Sequence, residues 1–240
     1  MPSETGATMP RLQLLCAGAA MGLVKALTPT WLAQSGATLD GRYGAVGAMK
    51  EALLAGEACD VMVVTDSMVA SLVAGGALRR EGVATLGRVR TGVAVPGKSA
   101  PPDVASPEAL RDALLAADAI YFPDPERATA GIHFAKVMRE LGIFELLAPR
   151  FRTYPNGATA MREMAAAGGP RAIGCTQVSE ILYTEGVVLL GALPAAFELA
   201  TLYTAAVATG AAEPALARQF IALLCGADAH TLRAEGGFGS

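Results

Sequence analysis

The feature that most constrains this chain is a regular alternation of short apolar runs with helical segments. "RLQLLCA" (11–17) leads into a helix near 21–35, "TLDGRYG" (38–44) into one near 46–56, and "DVMVV" (60–64) into one from about Ser67. Three strand–helix units in succession argue a parallel sheet with helices on both faces. The pattern then breaks. "RVRTGVAVP" (88–96) is a strand with no immediate helix, followed by a Pro-rich loop in which Ser106 caps and Pro107 opens the next helix. A second α/β set follows: "AIYF" (119–122), a helix from 129, "RFRTYP" (150–155), a helix over 158–167, and "RAIGCT" (171–176). Strand-like runs at 186–194 and 199–210 lead to closing helices from 213 onward.

Two such sets, with long strand-like segments at both transitions, predict an α/β fold of two lobes. Two crossing connections join them, and a ligand cleft lies between them. Residues 10–90 and 196–240 form the first lobe, and 91–195 the second.

The 240-residue chain is 52% hydrophobic and 17% charged, which calls for a large buried core and argues against disorder. A net charge of −3 gives no reason to expect nucleic acid. No run is long and apolar enough to span a bilayer. The segment "LQLLCAGAAMGLV" superficially imitates the core of a secretory leader, but it reads better as strand, glycine turn and helix. A cytoplasmic location is expected, or a periplasmic one if a leader precedes this chain. Cys16, Cys59, Cys175 and Cys225 are widely spaced with little histidine support, so no metal or other cofactor is expected. Buried reduced thiols suit them.

In a sheet of this kind, ligands bind beyond the carboxyl ends of the strands. Four such ends are rich in small or polar residues: Gly18, Ala19 and Ala20 after Cys16; Tyr43, Gly44 and Gly47; Thr65 with Asp66 and Ser67; and Thr129, Ala130 and Gly131. Each alone is ordinary packing. Together they make a glycine-lined mouth with several helix N-termini, suited to a small oxyanion or carboxylate. No G-x-G-x-x-G fingerprint follows a strand, so a dinucleotide fits poorly.

Two groups are candidates for proton transfer. His133 lies in the first turns of the helix from 129, where the positive helix end favours a neutral ring able to take a proton. It serves equally well as a satisfied hinge histidine. Glu180, one turn from Gln177 and beside Ser179, is the other; its plainer role is that of an acid favoured at a helix start. Gln177 and Ser179 follow a strand and point towards the same mouth. Tyr43 and Tyr203 could bond a ligand or cap a sheet edge. Arg127 could clamp a carboxylate, while Asp124 and Glu126 beside it suit backbone amides in the turn. His230, in a polar C-terminal helix, is read as solvated.

The stretches "CAGAAMGLVKAL", "RYGAVGAMKEALLAGEACDVMVVTD", "YFPDPERATAGIHFAKVMRELGI" and "IGCTQVSEILYTEGVVLLGALP" resemble the molybdate-type branch of periplasmic solute-binding proteins. The resemblance runs from about residue 11 to the end and implies the type II two-lobed fold. The D-P…G-I-H-F and Q-x-S-E-I-L stretches are similar to a sub-branch that includes aconitate isomerase. Molybdate binders usually offer serine hydroxyls at the first two strand–helix turns; here those turns read Gly18-Ala19-Ala20 and Ala45-Val46-Gly47. The resemblance therefore implies a small anionic partner, a di- or tricarboxylate or an oxyanion. One expected function is allylic isomerisation of an unsaturated polycarboxylate. Others are solute binding for an importer, whose permease would be the partner, and cytoplasmic anion sensing.

Overall fold

A computed structural model describes residues 9–167 and 169–239. In chain order the first part runs β1 (Arg11–Ala17), α1 (Gly18–Ser35), β2 (Thr38–Gly44), α2 (Val46–Leu54), β3 (Val61–Thr65), α3 (Asp66–Ala74) and β4 (Ala84–Pro96). Next come α4 (Pro107–Ala116), β5 (Ala119–Pro123), α5 (Thr129–Glu140), α6 (Phe144–Leu147), β6 (Phe151–Tyr154), α7 (Gly157–Ala167), β7 (Ala172–Gln177), α8 (Val178–Leu182) and β8 (Val187–Ala192). The chain closes with β9 (Ala200–Val207), α9 (Pro214–Cys225) and α10 (His230–Glu235).

The local signals work as their chemistry predicts. The Ser106 hydroxyl accepts from the Ala109 amide at 3.1 Å and caps α4, with Pro107 in its first turn. The apolar run of β3 is buried along its whole length, as a central strand covered on both faces must be. β2 alternates exposed and half-buried residues, the pattern of an edge strand. The segment that imitates a secretory leader forms β1 and the start of α1, and among the described residues no helix is long and apolar enough to cross a membrane. One boundary moves: α1 starts at Gly18 rather than near 21, because the glycine–alanine turn is itself the first helical turn.

The strands pair in the order β2-β1-β3-β9-β4-β7-β5-β6, with β8 also on β4. β1 is parallel to β2 and β3, and β5 is parallel to β6 and β7. β4 changes partners along its length. Ala84–Arg90 pairs antiparallel with β9, whereas Thr91–Ala94 pairs with β7 and Gly92–Pro96 with β8. One strand therefore carries the chain from one half of the sheet to the other, and the β8–β9 segment brings it back.

The cores follow the same division. One cluster joins α1, α9 and the strands β1, β3 and β9, with Trp31 edge-on to Phe220 at 5.2 Å. A second packs Phe122, Phe134, Met138 and Leu147, and a third packs Tyr121, Met161, Met164 and Ile181. α8 is the exception. It follows β7, yet a Cβ on Gly22 of α1 would collide with the ring of Tyr183 at its end. The helix that carries Glu180 is wedged between the two halves.

Candidate functional site

The carboxyl ends of β1, β2, β5, β6 and β7 converge on one cavity. Ala17, Gly18, Ala19, Gly44, Ala45 and Val46 line it from one half, and Pro123, Ala128, Thr129, Ala130, Asn156, Gly157, Gln177 and Glu180 from the other, with Tyr203 of β9 at the back. It measures about 20 Å³, room for one water. A larger ligand requires the halves to part or side chains to move.

The first-half wall is nearly bare backbone. Neither α1 nor α2 has a side-chain cap, so the amides of their first turns keep their donors for the cavity. The opposite wall is built around Glu180, which is 6% exposed. Its carboxylate accepts from the Thr176 hydroxyl at 2.5 Å and from the Ala158 amide, in the first turn of α7, at 3.2 Å. Burial pushes its pKa up; the bonds from Thr176, Ala158, Gln177 and Gly157 pull it back only in part. Among the described residues, no Lys, Arg or His lines this cavity. A Cβ on Gly18 would collide with Glu180 Oε1, and one on Gly157 with Thr176 Oγ1 and Glu180 Oε2. Both glycines are required by the acid that they enclose.

Tyr203 is buried beside it. Burial first, then the neighbouring Glu180 and Cys16, push its phenol well above its ordinary pKa, so the group stays a neutral donor. Gln177 is 2% exposed; with its nitrogen turned inward it donates to the Val89 and Arg90 carbonyls at 3.2 and 3.3 Å, anchoring the cavity floor to β4.

Of the residues singled out from sequence, Gly18, Ala19, Gly44, Thr129, Ala130, Gln177 and Glu180 line the cavity. Ala20 is fully buried and lies outside the lining. Gly131 lies outside the lining and packs on the Pro123 and Asp124 carbonyls, which leave no space for a Cβ. Gly47 faces the Arg127 carbonyl across the cleft, where a Cβ would stand 3.3 Å away. Tyr43 packs half-buried against the first core, its phenol raised to about 12 chiefly by burial. Ser179 is fully buried with no hydrogen-bond partner for its hydroxyl. Thr65 lines an adjoining outer cavity rather than the inner one.

His133 stands apart from the cavity. It is the fifth residue of α5, half-buried, and its Nε2 donates to the Phe197 carbonyl at 2.7 Å on the β8–β9 connection. Asp124 accepts from the Glu126 and Arg127 amides at 2.8 and 3.1 Å, the turn role expected of it. Arg127 is paired with Glu51 of α2, on the other side of the cleft.

Sequence reasoning passed over the turn between β6 and α7. Its signal was present: in "YPNGAT", Asn156 caps α7 by accepting from the Thr159 amide at 2.8 Å, and Gly157 follows it. Thr176 carried no signal, because a threonine ending an apolar strand is ordinary.

Residues 12–239 match the family model described as bacterial extracellular solute-binding protein, and the chain belongs to that family. It is 25% identical over 227 residues to an aconitate isomerase from Pseudomonas sp, covering 91% of this chain and 83% of that protein. The periplasmic molybdate-binding protein of Azotobacter vinelandii superposes with a TM-score of 0.79 at 19% identity, over 95% of this chain and 99% of that one. The sulfate-binding protein SubI from Mycobacterium tuberculosis H37Rv does so at 0.73 and 17% identity, over 95% and 86%. The fold is the two-lobed type II periplasmic-binding-protein fold.

Proposed function

We propose that this member of the bacterial extracellular solute-binding proteins binds a small unsaturated polycarboxylate between its lobes and isomerises it by an allylic proton shift. The aconitate isomerase likeness supports the reaction class. The observation that carries the proposal is Glu180, a buried acid with a raised pKa and no cation in its cavity. An ionised carboxylate placed there opposes a bound anion, since two like charges so close disfavour each other. A proton carrier gains from it, because a raised pKa makes the carboxylate a stronger base.

In this reading Glu180 takes a proton from the sp³ carbon beside a substrate carboxylate. The electron pair of that C–H bond becomes the new double bond, and the old double bond takes the proton back from Glu180 at its far carbon. Charge that develops on the intervening carboxylate meets the Tyr203 phenol and the amides of the first turns of α1 and α5. No cofactor is needed for this step. His133 serves in this reading to hold α5 to the connection between lobes. The serines absent from Gly18–Ala20 and Ala45–Gly47 support a preference for carboxylates over tetrahedral metal oxyanions.

The test has two arms. Melting temperature is followed with citrate, cis- and trans-aconitate, and molybdate; then proton NMR in deuterated solvent follows label entering each acid that binds. Saturation at 100 times Kd is expected to add about 2.7 kcal/mol of stability. Stabilisation by molybdate alone would overturn the proposal.

A second reading is a solute receptor that binds without turnover and hands its cargo to an importer permease. The family description and the donor-lined cavity support it. Tight carboxylate binding with no label exchange would decide for it.

A further inference from the structure

The cleft contains a second space, which holds a cation of the kind that the lining of the inner one lacks. Among the described residues, the inner cavity is lined by one acid and no Lys, Arg or His. Beside it opens a cavity of about 430 Å³, lined by Thr65, Asp66 and Ser67 from the end of β3, Arg88 of β4, Thr201 of β9, and Thr129 of α5. Thr129 belongs to both, so the two spaces adjoin.

The lining of the outer space suits an anion. Among the described residues, no ion pair involves Arg88, whereas Arg90 on the same strand pairs with Glu198 at 3.6 Å. The hydroxyls of Thr65 and Ser67 lie 3.4 Å apart. The Thr201 hydroxyl is sealed from solvent and has no hydrogen-bond partner among the described residues. Asp66 lines the same space and opposes an anion; the Thr204 hydroxyl, donating to its Oδ1 at 3.0 Å, fixes the carboxylate without cancelling its charge, so Arg88 has to outweigh it. Residues of β3, α3, β4, α5 and β9 meet here.

We propose that this outer cavity is a carboxylate subsite, with Arg88 as its cation and the Thr65, Ser67 and Thr201 hydroxyls as further donors. It selects ligands that carry a second carboxylate a few carbons from the one held by the inner cavity. The inference rests on the carboxylate reading given above. Its physical ground is that a polyanion needs a cation, the inner cavity has none, and Arg88 lies in the adjoining space. A monocarboxylate would use only the inner cavity and gain nothing from Arg88. The fork of a guanidinium matches a carboxylate in a way that an ammonium does not.

The test compares citrate with crotonate, a tricarboxylate with an unsaturated monocarboxylate, by titration calorimetry on the wild type, Arg88→Gln, Arg88→Lys and the control Arg90→Gln. Arg88→Gln is expected to weaken citrate about ten- to a hundredfold, the loss of a charge-assisted pair, and to leave crotonate unchanged. Arg88→Lys should recover part of the loss, and Arg90→Gln should behave as the wild type. Equal citrate affinity in wild type and Arg88→Gln would overturn the subsite, and so would a matching fall for citrate and crotonate. Selective loss of citrate binding in a protein that exchanges no deuterium leaves the subsite standing and removes the isomerase instead. A wild type that binds neither acid overturns both.

Discussion

The two walls of the inner cavity face each other across a few ångströms and are built on opposite plans. The wall from Gly18–Ala19 and Gly44–Val46 is backbone, with its donors supplied by helix starts that lack side-chain caps. The wall from Asn156–Gly157 and Gln177–Glu180 is side chain, with a buried acid in the position that an anion would take at the start of α7. A backbone wall accepts any small anion. A wall that already holds a carboxylate, with no cation near it, favours a ligand that can exchange a proton with it. Under the proposed isomerase reading, the contrast between the walls, rather than either alone, is what would separate chemistry from storage.

The largest test of that contrast is Glu180→Gln, which removes the exchangeable proton from one wall and leaves the other untouched. Isomerisation should fall on the order of a hundred- to ten-thousandfold, with binding retained and the melting temperature near that of the wild type. His133→Ala, acting on the connection between lobes, should lower the rate far less and cost about 0.5–1.5 kcal/mol of stability for the lost bond to Phe197. A rate loss in His133→Ala equal to that in Glu180→Gln would move the base.

Next come the glycines that enclose the acid. Gly157→Ala and Gly18→Ala place a methyl on the Glu180 carboxylate and should each cost about 1–3 kcal/mol in chemical denaturation. Gly47→Ala, where the nearest atom is the Arg127 carbonyl at 3.3 Å, should cost less. In a Glu180→Ala background the cost of Gly18→Ala should shrink, since the colliding oxygens are gone; additive costs would mean that Gly18 answers to something else.

The pH dependence sharpens the comparison further. Glu180 is an acid whose folded-state pKa lies above its unfolded one, so between those values the folded protein binds more protons. Stability from this group is fully present below the ordinary carboxyl range and is lost as pH rises through the raised value. Unfolding free energy measured across that window should decline in the wild type and flatten in Glu180→Gln. A wild-type slope that survives the substitution would assign the proton to another group.

The smallest expected effect is at the rim. Glu51 and Arg127 pair across the cleft with both side chains about half exposed or more. Glu51→Gln should cost no more than about 1 kcal/mol, and less at high salt. A large loss of ligand affinity in that variant would show that the rim, rather than the walls, holds the cleft closed.

Much of this was legible in the sequence, because it depends on short-range rules. Strand and helix alternation follows from hydrophobic period, and Ser106–Pro107 is a cap that functions as its chemistry dictates. Small residues at strand ends mark where backbone can approach a ligand, and for that reason Gly18, Ala19, Gly44, Thr129 and Ala130 could be picked out. The tertiary structure decided the roles of the polar residues. Glu180 and His133 each sit near a helix start, and nothing local distinguishes them. Glu180 acquires its raised pKa because α7, β7 and α8 close over it and exclude water, whereas Phe197, within the β8–β9 connection, offers His133 a carbonyl 64 positions away. Arg88 was unremarkable for the same reason: its place beside Thr65, Thr129 and Thr201 exists only once β4 lies against β9. Periodicity is a property of neighbours along the chain and survives without a fold. Desolvation and charge pairing are properties of neighbours in space, and those are fixed only when the lobes meet.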